Sequence, residues 1–522
     1  MKTKNLYQAN EQIPKIKIGI IQSSPSIRFM CESNFQVVSK DSNKVLFKGD
    51  RAVEYSTKII ESKPAHLEYQ IRLYILKDLD IAKTKITELN NRGLNVKLRK
   101  VGLTIPAQNR HIENSEYWIV TENSESYEKA QKMLESYSEF EDAIIVHDVV
   151  EKSVGKIELD GHIIENGCII APEEKPSLIE VDDVTIGIEF HWQHQRRLKY
   201  YGNLEIGFNN EGQLVAINIV DLETYLASVN SSEMTSDCPM ALLEAQTIAA
   251  RSTVLATMGK HHYDTDFHLC SDDHCQCYHG AIKEQESSRQ AVMNTLGEVI
   301  MFGDEVCDAR YSKICGGIIE SYDNVWDNRE VPYLKAGVDT KGKIDFPADS
   351  EKKARELIDS DLDVFCNTNK YKLPPKLAEL YSTENLFRWT VTYSREKIEE
   401  LLLKKMNIKL GELKDIVPVS RGASGRLIYV DFVGTDRTVR VGKELKIRRV
   451  LSDSHLYSSC FYVEKVMTHD GSHVKDFILK GAGWGHGVGL CQVGATVMAL
   501  QNYSYQDILK HYFQNIEIVK LY

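Results

Sequence analysis

The segment 483–489 constrains the fold of this chain more than any other. Glycine stands at every second position of this segment, with Trp484 and His486 between the glycines. Glycine adopts dihedral angles that other residues avoid and lets the backbone approach a ligand closely. The spacing differs from the dinucleotide-binding fingerprint. We therefore expect either a tight structural turn or a binding loop in which the indole stacks on a sugar and the imidazole hydrogen-bonds. Gln492 begins a predicted helix over 492–500.

A second segment places a carboxyl group beside a predicted helix. Glu233 lies in a Ser-Glu-Met run, and a helical pattern with apolar residues three and four apart covers 239–257. Pro239 suits the first turn, because an N–H there would have no partner, and Asp237 or Ser236 is a candidate cap. Glu233 is thus expected before a helix N-terminus, which stabilises an anion, whereas burial would raise the carboxyl pKa. It is either an acid/base group or a capping or ion-pairing residue.

Arg251 lies on the same predicted helix. Its neighbours include Ala245, Ala249 and Ala250, which allow close packing. A cation in such surroundings needs a partner carboxylate. The spacing alone does not name that partner.

A short segment rich in cysteine and histidine is typical of a metal site. Cys270, His274 and Cys275 are the best three ligands, and His261 or His262 lies upstream to supply a fourth. Thiolates combined with imidazoles favour zinc in a tetrahedral site. The adjacent pair of His274 and Cys275 is unusual, so the alternatives are a loop without metal and a Cys270–Cys275 disulfide.

The remaining cysteines are scattered. The chain has 11 cysteines in all, an odd number, which favours buried thiols over a disulfide framework. Cys315 stands beside Gly316 and Gly317. This cysteine is either a reactive thiol or a small buried apolar residue.

Composition excludes some functions. The 522 residues carry a formal net charge of −11, which argues against nucleic-acid binding, because that function needs a basic footprint. A neutral or polymeric ligand fits better. No apolar run approaches the roughly 20 residues of a membrane span, and no signal peptide is visible. The chain is therefore expected either in the cytoplasm or as a mature exported form.

The order of predicted elements divides the chain into three parts and indicates an α+β fold. Residues 1–66 contribute the first strands of the core. Residues 67–150 alternate as strand, helix, strand, strand, helix, strand, which is the βαββαβ order of a ferredoxin-like module. The first of these helices is predicted from Leu79 to Asn91, and the second has Ser124 as its candidate N-cap. Residues 180–522 begin strand-rich and continue as a mixture of strands and helices.

Several motifs, taken in order, resemble the SpoIID/LytB family. They are Ser232-Glu233-Met234, Ala245 to Arg251, His274-Cys275-Gln276, Cys315-Gly316-Gly317, Arg421 to Arg426, and Gly485 to Gly489 with Gln492. The resemblance covers about 180–522 and implies a SpoIID-like mixed domain with a strand-rich core and a catalytic helix. The inserted 67–150 module resembles a SPOR domain, which binds peptidoglycan stripped of its peptides. The alternative for this module is an insertion that only braces the fold.

The resemblance implies a protein of the cell envelope that acts on peptidoglycan. SpoIID-type members are lytic transglycosylases that cut glycan strands lacking stem peptides, and LytB-type members are enhancers of cell-wall amidases. The family's catalytic glutamate falls on Glu233. One structural zinc falls on His262, Cys270, His274 and Cys275. The side chains implied in sugar binding are Arg251, Gln276, Trp484, His486 and Gln492.

Three departures from the family pattern bear on this site. Thr235 stands where a proline often follows Ser-Glu-Met, Ser312 stands where a histidine is often seen, and the 67–150 module is inserted. The predicted reaction forms a 1,6-anhydro ring, for which Glu233 alone suffices as acid and then base, whereas ordinary glycosidases need two carboxyl groups. The rivals are a binding protein that activates an amidase and a zinc hydrolase. The hydrolase ranks last, because two thiolates with histidines usually make closed, structural sites.

Overall fold

The computed structural model describes residues 12–108, 110–188, 193–235, 237–272, 274–344, 346–381 and 386–522. It shows a strand-rich mixture of sheets and helices. The first five strands are β1 Lys15–Ser24, β2 Ser26–Cys31, β3 Phe35–Ser39, β4 Val45–Gly49 and β5 Glu54–Lys63. Ile16, Ile18 and Ile20 alternate along β1 and are buried, as expected of a strand with one face on a core.

The next elements form the inserted module. They are β6 His66–Leu76, α1 Leu79–Asn91, β7 Val96–Val101, β8 Thr104–Ala107, β9 Arg110–Glu113, β10 Glu116–Thr121, α2 Tyr127–Glu135 and β11 Ile144–Glu151. The four long strands make an antiparallel sheet in the order β11-β6-β10-β7, which is the ferredoxin-like arrangement. The bounds predicted for α1 match the structure. The cap predicted for α2 is wrong, because Ser126 caps that helix and Ser124 pairs with Tyr69 in a bridge.

The chain then returns to the core in seven strands. They are β12 Val154–Leu159, β13 His162–Glu165, β14 Cys168–Pro172, β15 Leu178–Ile186, β16 His194–Tyr201, β17 Asn203–Phe208 and β18 Leu214–Asp221. Residues 151–179, which lie outside the three predicted parts, thus belong to the core. Strand β12 pairs with β5, with Val154 opposite Lys63. The module therefore leaves and re-enters the core through two neighbouring strands.

Two large sheets share one apolar core. Their strand orders are β19-β1-β18-β17-β14-β3-β4 and β13-β12-β5-β2-β15-β16. The central helical elements and short strands that follow are α3 Leu222–Glu233, α4 Met240–Thr257, β19 Leu269–Cys270, a 3₁₀ turn Gly280–Lys283, α5 Glu286–Asn294, β20 Glu298–Phe302, β21 Glu305–Val306, β22 Tyr311–Ser312, β23 Ile318–Ile319, α6 Tyr322–Val325 and β24 Gly337–Val338.

The last part of the chain covers this helical centre. Its elements are α7 Glu351–Asp359, α8 Pro375–Tyr381, β25 Arg388–Ser394, α9 Arg395–Met406, β26 Leu413–Arg421, β27 Leu427–Gly434, β28 Thr438–Gly442, α10 Glu444–Val450, β29 Phe461–Met467, β30 Val474–Ala482, β31 Leu490–Cys491, α11 Gln492–Leu500, α12 Tyr505–Tyr512 and β32 Glu517–Lys520. The bounds predicted for α11 match. Helix α4 packs against α3, α5, α11 and α12, which explains why it is buried along most of its length and not on one face only. No helix within the described ranges has the length and apolarity to cross a membrane.

Candidate functional site

Glu233 is the last residue of helix α3. Glu233 does precede α4, as predicted, but it also belongs to a helix that the sequence analysis missed: α3 begins at Leu222, where Asp221 caps the first turn by accepting from the N–H of Thr224. A turn separates Glu233 from α4, and Thr235 stabilises that turn through its hydroxyl, which accepts from the N–H of Asp237. Sequence patterns did not separate α3 from the strand before it.

The cap predicted for α4 also changes. Pro239 occupies the N-cap position without a side-chain hydrogen bond, so Asp237 does not cap the helix. Ser236, the other candidate, lies outside the described residues. Helix α4 is instead held by burial against its neighbours.

The half-buried carboxyl group of Glu233 has a mixed electrostatic environment. The C-terminal end of α3 carries a partial negative charge, which disfavours a second anion. Against this, the N–H of Cys277 donates to Oε1 of Glu233 at 3.1 Å. The ammonium group of Lys313 also interacts electrostatically with the carboxylate. A group placed between such influences suits proton transfer in both directions.

The glycine segment forms the floor beside this carboxyl group. Gly483, Gly485, Gly487 and Gly489 all have φ between 70° and 96°, which is the left-handed region that glycine tolerates. A Cβ on Gly487 would collide with the guanidinium of Arg426. This buried arginine donates to the carbonyl groups of Gly485 and Cys315, so the loop is fixed from beneath.

Two short strands bring the floor and the glutamate side together. Strand β22 pairs in parallel with β31, and Ile314 makes an antiparallel bridge to Trp484. The N–H of Val493 donates to the carbonyl of Lys313 at 3.1 Å. Lys313 thereby stands between the glycine loop and the start of α11.

An aromatic surface lines this floor. The Lys313 ammonium lies 4.6 Å from the centroid of the Trp484 ring, and Tyr457 meets the same indole edge-on at 6.0 Å. Trp326 lies 4.8 Å from the His486 ring. Burial lowers the pKa of Lys313, and the nearby Glu233 opposes that shift. Half-buried aromatic rings beside a cation suit the binding of a sugar ring with polar substituents.

His486 holds the loop in shape. Its Nδ1 accepts from the N–H of Val488 at 3.0 Å, and the ring also hydrogen-bonds to the backbone of Tyr311. Burial, followed by the charges of Arg310 and Arg426, lowers the pKa of His486 to about 3. The imidazole is thus neutral near physiological pH, and it orients backbone instead of acting as a proton donor.

Two polar groups near Lys313 are buried without a hydrogen-bond partner among the described residues. They are the amide nitrogen of Gln492 and the hydroxyl of Ser312. Ser312 lies on β22 opposite Cys491, the residue before Gln492. Buried polar groups are nearly always paired in folded proteins. Unpaired groups at a floor of this kind are suited to a polar ligand.

Arg251 and Gln276, predicted to contact sugar, have structural roles. Arg251 is 0% exposed and forms a bidentate ion pair with Glu223. Its Nε donates to Oε1 at 2.9 Å and its Nη2 donates to Oε2 at 2.6 Å. The prediction that this arginine needs a carboxylate is confirmed, but its burial leaves no surface for substrate. Gln276 is also buried and joins the hydroxyl of Tyr225 to the carbonyl of Ala250.

The four residues predicted to bind zinc come together. The donor atoms of His262, Cys270, His274 and Cys275 all lie within 4.8 Å of one another. The sulfur-to-nitrogen distances are 3.5 Å for Cys275–His262, 3.7 Å for Cys275–His274 and 3.9 Å for Cys270–His274. Zinc bonds of standard length at tetrahedral angles would separate sulfur and nitrogen by about 3.6 Å. The donor set therefore fits zinc, and Cys270 and Cys275 are not joined in the alternative disulfide.

The cluster lies directly behind the glutamate. Cys277, whose N–H reaches Glu233, follows Cys275 by two residues and ends the same loop. Tyr225 is a neighbour of both the cluster and the carboxylate, and burial raises the pKa of its hydroxyl well above the usual value. Any ion that fixes this loop also fixes one hydrogen bond to Glu233.

Two families match different parts of this arrangement. The family described as Stage II sporulation protein, SpoIID, matches residues 210–302, which include Glu233 and the four residues predicted to bind zinc. The chain carries a SpoIID-family domain. A second family, described as a domain of unknown function (DUF8618), matches residues 320–489. The glycine loop thus lies in the second match, downstream of the part that matches SpoIID.

Relatives extend the SpoIID similarity beyond that segment at low identity. An uncharacterized protein of Brachyspira hyodysenteriae is 28% identical over 323 residues, which is 62% of this chain and 73% of the relative. The amidase enhancer of Bacillus subtilis is 24% identical over 301 residues, which is 55% of this chain and only 39% of the enhancer. Stage II sporulation protein D of Bacillus amyloliquefaciens is 22% identical over 317 residues, 58% of this chain and 75% of the relative.

The sequence analysis did not predict that Lys313 and Tyr457 lie at the glycine loop. Lys313 is two residues from Cys315, a predicted thiol of interest, but its position over Trp484 depends on the bridge between residues 314 and 484. Tyr457 belongs to no motif. In neither case does the local sequence carry a signal, because the contact is made across the fold.

Proposed function

We propose that this protein is a lytic transglycosylase of the cell envelope that cleaves peptidoglycan glycan strands, with Glu233 as its catalytic residue. The observation that carries the proposal is the placement of this half-buried carboxyl group, which is held by the N–H of Cys277 and lies beside Lys313 and the aromatic floor. Its position at the end of α3 supports the protonated form that a general acid needs.

The proposed reaction uses the one carboxyl group twice. Protonated Glu233 donates to the glycosidic oxygen, and the bond from that oxygen to C1 of the muramoyl residue breaks. The C6 hydroxyl of the same sugar then bonds to C1, and the carboxylate takes up the hydroxyl proton. The product has a 1,6-anhydro ring, no water is consumed, and Glu233 returns to its starting state.

The floor supplies binding and orientation. Trp484 is placed to stack on a sugar face, and the unpaired amide of Gln492 and hydroxyl of Ser312 are placed to hydrogen-bond its substituents. The Lys313 ammonium stabilises the carboxylate after the first proton transfer. We propose strands without stem peptides as the preferred substrate, because the resemblance to SpoIID-type members implies them.

Zinc has a structural role in this proposal. His262, Cys270, His274 and Cys275 would hold the ion, which would supply a rigid cross-link between two parts of one loop. The loop in turn positions the Cys277 N–H against Glu233. The reaction steps themselves use only the side chains of the floor and the glutamate.

For the 67–150 module we propose a bracing role instead of SPOR-like glycan binding. Helices α1 and α2 cover one face of its sheet, and Trp118 on the other face meets Tyr263 at 4.8 Å. Glu116 pairs with Lys260 and Arg329. These contacts occupy part of the face opposite the helices, which supports a bracing role.

The amidase enhancer of Bacillus subtilis supports a second candidate function. In that case the protein binds glycan strands and activates a separate cell-wall amidase without cleaving them. The same floor would bind the strand, and Glu233 would serve as an ordinary hydrogen-bonded carboxylate. This function predicts binding without anhydro products.

Mass spectrometry of purified glycan strands, with and without stem peptides, distinguishes these functions. We expect the wild-type protein to produce 1,6-anhydro ends and Glu233→Gln to produce none while still binding strands. The matched control is Glu286→Gln, because the Glu286 side chain is 82% exposed at the start of α5. Reducing ends would indicate hydrolysis. Strand binding without cleavage, together with stimulation of a purified cell-wall amidase, would favour the enhancer function.

A further inference from the structure

A second group of metal-binding side chains lies beneath the glycine loop. It consists of Cys315, Asp339, Cys366 and Cys491, whose donor atoms all lie within 4.8 Å of one another. All four residues are buried, whereas the first cluster is partly exposed. They come from four separate segments of the chain, and Cys315 and Cys491 are 176 positions apart.

The distances between the sulfur atoms fit coordination of one ion. The Sγ atoms of Cys315 and Cys366 are 3.7 Å apart. Two thiolates on one tetrahedral zinc, each with a bond of about 2.3 Å, would lie about 3.8 Å apart. A disulfide would require about 2.05 Å. The N–H of Cys315 also donates to the sulfur of Cys491 at 3.3 Å, a contact that stabilises a thiolate ligand.

Two hydrogen bonds hold the carboxyl group of Asp339 in a fixed orientation, as outer-shell hydrogen bonds do for the ligands of a metal ion. Its Oδ2 accepts from the N–H of Cys366 and its Oδ1 accepts from the hydroxyl of Tyr512, both at 2.8 Å. Asp339 is 0% exposed, and no salt bridge to it occurs among the residues that the structure describes. A buried carboxyl group without a cation is costly in its charged form. A divalent ion at this point would supply the missing positive charge.

From this geometry we propose a second, fully buried zinc site formed by Cys315, Asp339, Cys366 and Cys491. Three thiolates and one carboxylate supply the four ligands that a closed, structural zinc site needs, and soft sulfur donors select zinc over magnesium or calcium. The site has no open position for substrate, since all four ligands come from the chain.

The proposed ion cross-links the parts of the chain that form the floor. Cys315 follows Lys313 by two residues, and Cys491 directly precedes Gln492 and pairs with Ser312. Asp339 directly follows β24, and Cys366 lies between α7 and α8 in the covering part of the chain. The ion would therefore fix the β22–β31 pair against that cover, where the sequence alone offers only isolated cysteines.

Counting metal in the purified full-length chain tests the proposal. The chain is produced with zinc in the medium, and zinc per chain is measured by elemental mass spectrometry for four forms: wild type, Cys366→Ala, Cys270→Ala and Cys31→Ala. Cys31→Ala is the matched control, because Cys31 is an equally buried free thiol in another part of the protein. We expect Cys366→Ala to hold one zinc fewer than Cys31→Ala, and Cys270→Ala to retain one.

The Cys270→Ala measurement keeps the test decisive if Cys366→Ala does not fold. A Cys270→Ala protein without zinc would overturn the proposal, as would a Cys366→Ala protein that holds as much zinc as the control. A Cys315–Cys366 disulfide found by peptide mass spectrometry, or iron at the site in place of zinc, would overturn it too. Substitution of Asp339→Asn should lower zinc retention during dialysis against a chelator, and unchanged retention would count against the carboxylate as a ligand.

Discussion

Replacing Arg251 with methionine should lower the free energy of unfolding by about 3–5 kcal/mol. The guanidinium makes two hydrogen bonds to Glu223, at 2.9 Å and 2.6 Å, and one to the carbonyl of Glu298 at 2.9 Å. Methionine fills similar volume, so the loss comes from the polar contacts and not from a cavity. Glu223 would remain buried without its cation, and its remaining donors among the described residues would be the hydroxyl of Tyr522 and the N–H of Gly297.

The measurement is urea-induced unfolding followed by tryptophan fluorescence near neutral pH. Arg440→Met is the matched control, because Arg440 makes the same two-bonded contact with Asp431, at 2.8 Å and 2.9 Å, but is 57% exposed. Its loss should leave the unfolding midpoint unchanged within error, since water and salt screen an exposed ion pair.

A double variant separates the buried charge from the lost contacts. Adding Glu223→Gln to Arg251→Met removes the unpaired carboxylate, so the double variant should be more stable than Arg251→Met alone. A loss below about 1 kcal/mol for Arg251→Met, or a double variant no better than the single one, would refute this reasoning. Glycan binding by the folded fraction should stay at the wild-type level, and a loss of binding without a loss of stability would restore the predicted sugar contact.

Three further outcomes follow from the loop and the metal cluster. Gly487→Ala should lower the free energy of unfolding by about 1–3 kcal/mol, because φ at this position is +75° and the new methyl group collides with Arg426. Gly471 also has a positive φ but has open space around it, so Gly471→Ala should lower the thermal midpoint less than Gly487→Ala does. Burial lowers the pKa of His486 to about 3. Between that pH and the usual pKa of about 6.5, the residue therefore binds a proton only in the unfolded state. The free energy of unfolding should fall as pH drops through this range, by at most about 1.4 kcal/mol per pH unit. A His486→Asn variant should show a flatter pH dependence of the urea midpoint, and an unchanged slope would contradict the assignment. Cys270→Ser should lower the thermal midpoint more than it lowers turnover per folded molecule; the reverse result would favour a catalytic metal.

Local patterns predicted those elements whose signals are themselves local. Helix α1 has an apolar stripe and ends at a glycine, and α11 begins directly after the glycine loop, so both were predicted with the correct bounds. The four side chains at 262–275 that could hold a metal ion are close in sequence and therefore easy to recognise as a set. Glu233 was correctly predicted before α4, but its place at the end of α3 was missed, because the proline at 239 marks the start of α4 and nothing local marks the end of α3.

Contacts across the fold could not be predicted in this way. The partner of Arg251 was expected to be a carboxylate, but Glu223 lies 28 positions upstream in a different helix. Lys313 reaches Trp484 only through the pairing of β22 and β31. In the same way, single cysteines at 315, 366 and 491 give no hint of a cluster until the covering segments fold over the helical centre.

The connection of the 67–150 module to the core has a consequence for shortening the chain. Lys63 and Val154 already face each other across two hydrogen-bonded strands, so a two-residue turn between them would close the sheet as an ordinary hairpin. The surface left behind would differ greatly, because Tyr263 would lose Trp118, and Lys260 and Arg329 would lose their shared carboxylate. The module is thus simple to excise in topology but costly to excise in energy, and a relative that lacks it needs different residues at 260, 263 and 329.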